Sequence, residues 1–139
     1  MAANYATDFY GWATETARKL RSGMVSEVDL EQVADEIESL GKSEQQQLAN
    51  RLVILLAHML KWEFQPSHRK GGWQGTIKEQ RFRIERLLAK NPSLEPLVEE
   101  TIVEAYPEAV MSAVNEIGTM VEQDFPRTCP YTRSEILPR

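Results

Sequence analysis

From Leu30 to Trp62 the chain keeps one helical register. Apolar or near-apolar residues stand at 30, 33, 37, 40, 48, 52, 55, 59 and 62, in steps of three and four except across Gly41, where Glu44 holds the stepping. A period of that kind sustained over so many turns leaves no room for a strand or a linker. It predicts one helix over about 27–64 that has a bend at Gly41 open to it but no break. At ~1.5 Å per residue such a helix exceeds about 50 Å, and the remaining elements have to be arranged around it. Ser26 offers an N-cap, with Val25 and Leu30 placed as a hydrophobic staple. Gln65-Pro66 ends the helix, because proline disfavours helical geometry in the residue before it and cannot donate to the hydrogen-bond ladder.

The rest of the chain reads as shorter helices. DFYGWATETARKLRS (8–22) spaces Trp12, Ala13, Thr16, Ala17 and Leu20 helically, with Thr7 or Asp8 to cap its start and Gly23 to allow a left-handed exit. Arg18, Lys19 and Arg21 lie at the end where the helix dipole favours cations. A third helix over 73–90 sets Trp73, Ile77, Ile84, Leu87 and Leu88 on one stripe and stops at Asn91-Pro92. A fourth runs from near Ser93 or Leu94 to about Gly118, and Pro107 is expected to kink it and rotate its apolar stripe. In the proline-rich tail, Thr132 and Glu135 form a T-x-x-E capping box for one final turn over 133–137. No alternating strand pattern occurs. The reading is all-α: an antiparallel helical bundle built around the long helix (about 27–64), with a short C-terminal helical turn, as one domain over residues 1–139.

Charge narrows the partners. The sum is −5 with a pI near 5.1, which argues against wholesale binding of nucleic acid or anionic lipid. Its distribution is uneven: between Arg69 and Lys90 seven basic residues face two acidic ones, while residues 27–44 carry seven acids against Lys42, and 94–124 carry eight acids and no Lys or Arg. Charge pairing of the basic helix with its acidic neighbours is the expected use of that pattern. No apolar run is long enough for a membrane span, and the N-terminal residues lack the basic start and apolar stretch of a secretory signal. One cysteine, Cys129, can form no internal disulfide, which suits a reducing compartment; the expected location is cytoplasmic.

Several blocks together resemble a known family. YATDFYGWA, DLEQVADEIESLGKSEQQQLANRL, LLAHMLKW, the W-x-x-x-I-x-E-Q-R that follows the loop, NPSLEPLVEE with AYPEA, and FPRTCPYTRSEIL are similar, in order and over nearly the whole chain, to the bacterial family catalogued as domain of unknown function 29. The resemblance implies an all-α fold and no established reaction, cofactor or catalytic residue. Where such proteins carry a run of arginines after E-Q-R, this chain has Arg81-Phe82-Arg83.

Candidate chemistry is sparse. Residues three before His58 and His68 are Leu55 and Gln65, so the Glu-x-x-His pairs of a di-iron bundle are missing, and H-E-x-x-H and C-x-x-C are absent; neither metal nor cofactor is expected. Cys129 has no adjacent base. Arg51 and His58 lie close to two turns apart on one helical face, an arrangement similar to the R-x4-6-H motif of HEPN ribonucleases, where histidine moves a proton and arginine steadies phosphate. With an acid such as Glu38 they are the catalytic candidates, although LLAHML is an apolar setting in which a satisfied structural histidine is the commoner case. Lys78, Phe82, Arg83 and Arg86 are the binding candidates, because Phe82 lies opposite the apolar stripe of its helix among basic residues. The favoured reading is a non-enzymatic interaction or regulatory module that self-associates, as a dimer, or takes a protein partner. Nucleic acid is a less favoured partner, and a membrane is not one. The alternative is a HEPN-like ribonuclease or toxin–antitoxin component acting through Arg51 and His58.

Overall fold

A computed structural model describes residues 4–139; residues 1–3 of the expected 1–139 domain lie outside the described residues. Five α-helices follow one another: α1 (Phe9–Arg21), α2 (Leu30–Phe64), α3 (Gly71–Lys90), α4 (Val98–Ile117) and α5 (Arg133–Ile136). Four short 3₁₀ turns, at Val25–Glu27, Pro66–His68, Pro92–Leu97 and Glu122–Asp124, connect them, and the described residues contain no strand. The chain divides into two compact units, one ending at Lys42 and one beginning at Ser43; α2 supplies residues to both.

In the first unit Asp8 caps α1, its carboxylate accepting from the Gly11 N–H at 3.0 Å. The helix closes as anticipated on Gly23 at φ +77: Met24 N–H bonds the Lys19 carbonyl and Gly23 N–H the Leu20 carbonyl, the paired bonds of a left-handed C-terminal cap. Ser26 does not cap α2. It falls inside the 3₁₀ turn, Val28 is extended, and Asp29 caps instead, accepting from the Gln32 N–H at 3.2 Å. A carboxylate beside the exposed amides is the stronger partner for the helix dipole, so the helix begins three residues later than the staple suggested. No residue of α1 is buried. The unit is held by edges: Tyr5 meets Phe9 and Trp12 edge to face, Phe9 and Trp12 are tilted against each other, all with centroids 4.6–5.7 Å apart, Tyr5 donates to Glu36 at 2.8 Å, and Trp12 donates to Gln32 at 3.2 Å.

The second unit has a conventional core. Leu48, Leu52, Leu55, Leu56 and Leu60 are fully buried on the C-terminal half of α2. Lys61 beside Trp73, Arg51 on Gln80 and Glu44 on Asn91 fix the packing of α3: residue numbers rise along one helix as they fall along the other, so the two are antiparallel. The expected stripe of α3 is buried in full, from Trp73 through Ile77 and Ile84 to Leu87 and Leu88. The fourth helix differs from expectation at both points. Its first turn is a separate 3₁₀ segment through Pro96, and the buried positions Val98, Ile102, Ala105, Tyr106, Ala109, Val110 and Ala113 continue in one register past Pro107. Pro107 is exposed, so the carbonyl its ring leaves unbonded lies on the solvent side and the core face need not rotate. The tail packs inward: Phe125, Ile136 and Leu137 are buried, Phe64 and Phe125 meet edge to face at 5.5 Å, and Thr132 and Glu135 form the anticipated capping box.

One helix thus has two kinds of surface. Leu30, Ile37 and Leu40, on the register that predicted α2, are 55, 64 and 60 % exposed, whereas Leu48 and Leu52 on the same register are 0 %. Leu52→Ala is therefore expected to cost about 2–5 kcal/mol in urea unfolding, through lost burial and a residual cavity. Ile37→Ala should stay within about 0.5 kcal/mol of the parent in dilute protein.

Candidate functional site

The most unusual side chain of the second unit is Lys61. It sits on the last turns of α2, fully buried, where a lone ammonium would be strongly destabilising. Three neighbours compensate. The Glu116 carboxylate near the end of α4 accepts from its Nζ, His58 Nε2 lies at 3.4 Å, and the Trp73 ring at the start of α3 has its centroid 5.2 Å away. The tautomer of His58 follows from geometry. Its Nδ1 is 2.8 Å from the Ile54 carbonyl, which can only accept, so Nδ1 carries the proton and Nε2 offers a lone pair to Lys61. Burial holds the His58 imidazole below its ordinary range, with the Ile54 carbonyl opposing, Lys61 adding to the depression and Glu116 resisting it. The hydrogen bond from Lys61 holds Glu116 below the usual carboxylate range against partial desolvation, helped by the charges of Lys61, His58 and Lys70. Because the Glu116 side chain is 57 % exposed, water reaches the carboxylate but not the ammonium. The cluster ties α2, α3 and α4 together at one end of their packing.

The three catalytic candidates have other partners. Arg51 donates to Gln80 of α3 at 3.3 Å, and His58 is engaged by Ile54 and Lys61. Glu38 belongs to the first unit and pairs with Lys42 at 3.3 Å on an exposed stretch of α2. Of the binding candidates, Phe82 is 62 % exposed, with the Arg86 guanidinium 5.8 Å over its ring. Arg83 pairs with Glu79 one turn back on the same helix, and Lys78 has no ion pair among the described residues. Pairing of α3 with acids on neighbouring helices is not found among the described residues. The reason is orientation: Phe82, Arg83 and Arg86 are exposed while Ile84, Leu87 and Leu88 are buried. The long-range ion pairs among the described residues lie elsewhere, at Lys61–Glu116 and where Arg133 and Arg139 of the tail meet Glu95.

A cleft that no sequence motif signals lies between the end of α2, the α2–α3 connection, α3 and the tail. It is an open concavity of about 730 Å³, within the usual range of about 300–1,000 Å³ for ligand pockets. Met59, Trp62, Ile77 and Tyr131 supply its apolar and aromatic lining, and Arg69, Lys78 and Arg81 its cations. Arg69 stacks on Trp62 with its guanidinium 4.4 Å from the ring centroid and donates to the Trp62 carbonyl at 2.8 Å. Arg81 donates to the Ile136 and Glu135 carbonyls at 2.8 and 2.9 Å. Tyr131 donates to Glu63, with the Met59 carbonyl at 3.2 Å; burial and the Glu63 carboxylate both push its phenol above the ordinary value, so it stays a donor. On the opposite flank of the tail, Cys129 is half-buried with its thiol toward the Tyr131 carbonyl, and burial raises its pKa, the reverse of an activated nucleophile.

Among the described residues no three His, Cys, Asp or Glu side chains stand close enough to hold a metal ion, and no helix is long and apolar enough to cross a membrane. Fold and site together define an all-helical protein in which helices pack on helices, with a buried lysine cluster and a basic cleft. The chain belongs to the family described as Domain of unknown function DUF29, whose sequence profile matches residues 4–139. Comparison with curated proteins and with solved structures gives no match.

Both His58 and Glu116 have depressed pKa values in the folded state, so the unfolded chain binds more protons wherever they titrate. Stability is expected to be fully present above the ordinary histidine value of 6.5 and to fall as the pH drops, first through the histidine range and again below the ordinary carboxylate value of 4.5. Urea midpoints measured between neutral and acidic pH check this; His58→Gln should flatten the upper part of the decline and leave most of the lower part, in which Lys61 is the main partner of Glu116. Lys61→Met should lose the Glu116 contribution to the lower part.

Proposed function

We propose that the chain is a non-enzymatic interaction module that self-associates, docking the exposed stripe of one copy on α3 of another. The observation that carries this reading is the stripe itself. Leu30, Ile37 and Leu40 lie at helical spacing on one face, each more than half exposed, with Val25 and Leu20 also open nearby in sequence. Apolar surface of that extent on one helix is costly to leave in water and marks an interaction face.

Charge selects the occupant. The stripe is set among Glu31, Asp35, Glu36 and Glu38, with Lys42 as its single base, so two such stripes laid together would oppose acid to acid. A complementary surface exists on the same chain. The exposed side of α3 presents Phe82 among Lys78, Arg83 and Arg86, and among the described residues none of these cations reaches a carboxylate of another helix. A second copy therefore offers an aromatic anchor for the stripe and bases for its acids, and a two-fold dimer would make the contact twice. The engagement of Arg51 by Gln80 and of His58 by Lys61 favours this reading over the ribonuclease one. A cytoplasmic location goes with it, since the free thiol of Cys129 suits a reducing compartment.

Sedimentation velocity tests the proposal. The parent is expected to approach twice the 15.9 kDa chain mass at micromolar concentration, less so in high salt. Ile37→Arg and, separately, Phe82→Glu should each weaken the dimer about tenfold or more without altering helix content. A parent that stays monomeric into the hundreds of micromolar, or a dimer indifferent to both changes, would overturn it.

A further inference from the structure

The cleft beside α3 shares Lys78 with the exposed Phe82 side of that helix but is otherwise built from other residues. Three cations, Arg69, Lys78 and Arg81, line one concavity together with a single carboxylate, Glu63, in a protein whose net charge is −5. The carboxylate already accepts from Tyr131, and the cations are not used up by carboxylates. Arg69 has its Nε committed to the Trp62 carbonyl and its plane fixed on the Trp62 ring, which leaves its two terminal nitrogens without a partner among the described residues. Arg81 is anchored to the tail through Nε and Nη2, which leaves Nη1. Lys78 has no ion pair among the described residues. Two guanidinium groups held rigid by backbone carbonyls and ring stacking have already lost the side-chain freedom that binding an anion would otherwise cost.

We propose that this cleft binds a small molecule carrying a phosphate monoester on an apolar or planar body. The charge supports phosphate over carboxylate: three cations against one carboxylate leave an excess of two, which a phosphate monoester of about −1.5 to −2 offsets and a carboxylate does not. The lining supports the body. Met59 and Ile77 form an apolar floor, and Tyr131 adds an aromatic wall whose hydroxyl is turned to Glu63. The volume of about 730 Å³ is ample for a ring with its phosphate and far larger than inorganic phosphate requires.

Titration of the full chain with phenyl phosphate, benzoate and inorganic phosphate, followed by tryptophan fluorescence and calorimetry, tests the assignment, because Trp62 lies in the cleft wall beneath Arg69. Phenyl phosphate is expected to saturate with a Kd below about 1 mM, and benzoate and inorganic phosphate to bind about tenfold more weakly or worse. Lys78→Met is the primary variant, since Lys78 has no ion pair or side-chain hydrogen bond among the described residues, and it should weaken phenyl phosphate about tenfold with unchanged thermal stability. Arg69→Gln should weaken phenyl phosphate by a similar factor and also change the Trp62 emission of the free protein. Phe82→Glu, which targets the dimer, should leave phenyl phosphate affinity intact. Lack of saturation by about 10 mM, benzoate binding as tightly as phenyl phosphate, or affinity indifferent to both Lys78→Met and Arg69→Gln would overturn the proposal.

Discussion

Burial of the C-terminal half of α2 is the constraint on which the rest of the second unit depends. Leu48, Leu52, Leu55, Leu56 and Leu60 lose all contact with water, and the stripes of α3 and α4 are the surfaces that take them in. Each fully buried large apolar side chain contributes about 1.5–3 kcal/mol, so this ladder is a major driving term for the unit. It also dictates where polar groups have to be resolved. Lys61 continues the ladder into the last turns of the helix, and its ammonium can stay there because Glu116, His58 and Trp73 arrive from three directions. Removing one member of such a cluster costs more than forming it gains, so the cluster acts chiefly to fix which ends of the helices meet.

The same helix behaves differently before Lys42. Its register does not change, but Leu30, Ile37 and Leu40 are each more than half exposed, and the first unit rests on an aromatic clasp of Tyr5, Phe9 and Trp12 and two side-chain hydrogen bonds to Glu36 and Gln32. A helix half that is regular, apolar on one face and acidic around it is suited to a partner surface. The basic, aromatic outer side of α3 is the complement available on this chain. Its inner flank meets the tail to form the cleft, so one helix presents an aromatic outer side and a cation-lined inner one.

Much of this was legible from residue order, and the failures have physical causes. The period from Leu30 to Trp62, the stripe from Trp73 to Leu88 and the Thr132–Glu135 box are local patterns, and local patterns survive into the fold. Periodicity identifies a face without saying what covers it, which is why Leu30 and Leu52 look alike in sequence and differ completely in exposure. Ser26 lost the capping role to Asp29 because two capping residues compete within one turn. Pro107 leaves the stripe in register because it falls on the solvent side. Lys61 reads as a surface residue, since its partner Glu116 is 55 positions away. The burial of Ile136 and Leu137 was hidden by the prolines around them. Of the site residues, Phe82 and Lys78 were visible as an amphipathic oddity, whereas the cleft draws on α2, a loop, α3 and the tail and leaves no motif in any of them.

One continuous helix is core over its second half and exposed along an apolar stripe over its first, the stripe we propose as the docking face. Native-state hydrogen exchange along α2, read at low and high protein concentration, separates the two halves. Amides at 48–61 should exchange only through global unfolding at either concentration, while those at 30–42 should open locally in dilute protein and gain protection as concentration rises. Uniform protection from Leu30 to Phe64, unchanged by concentration, would contradict that division.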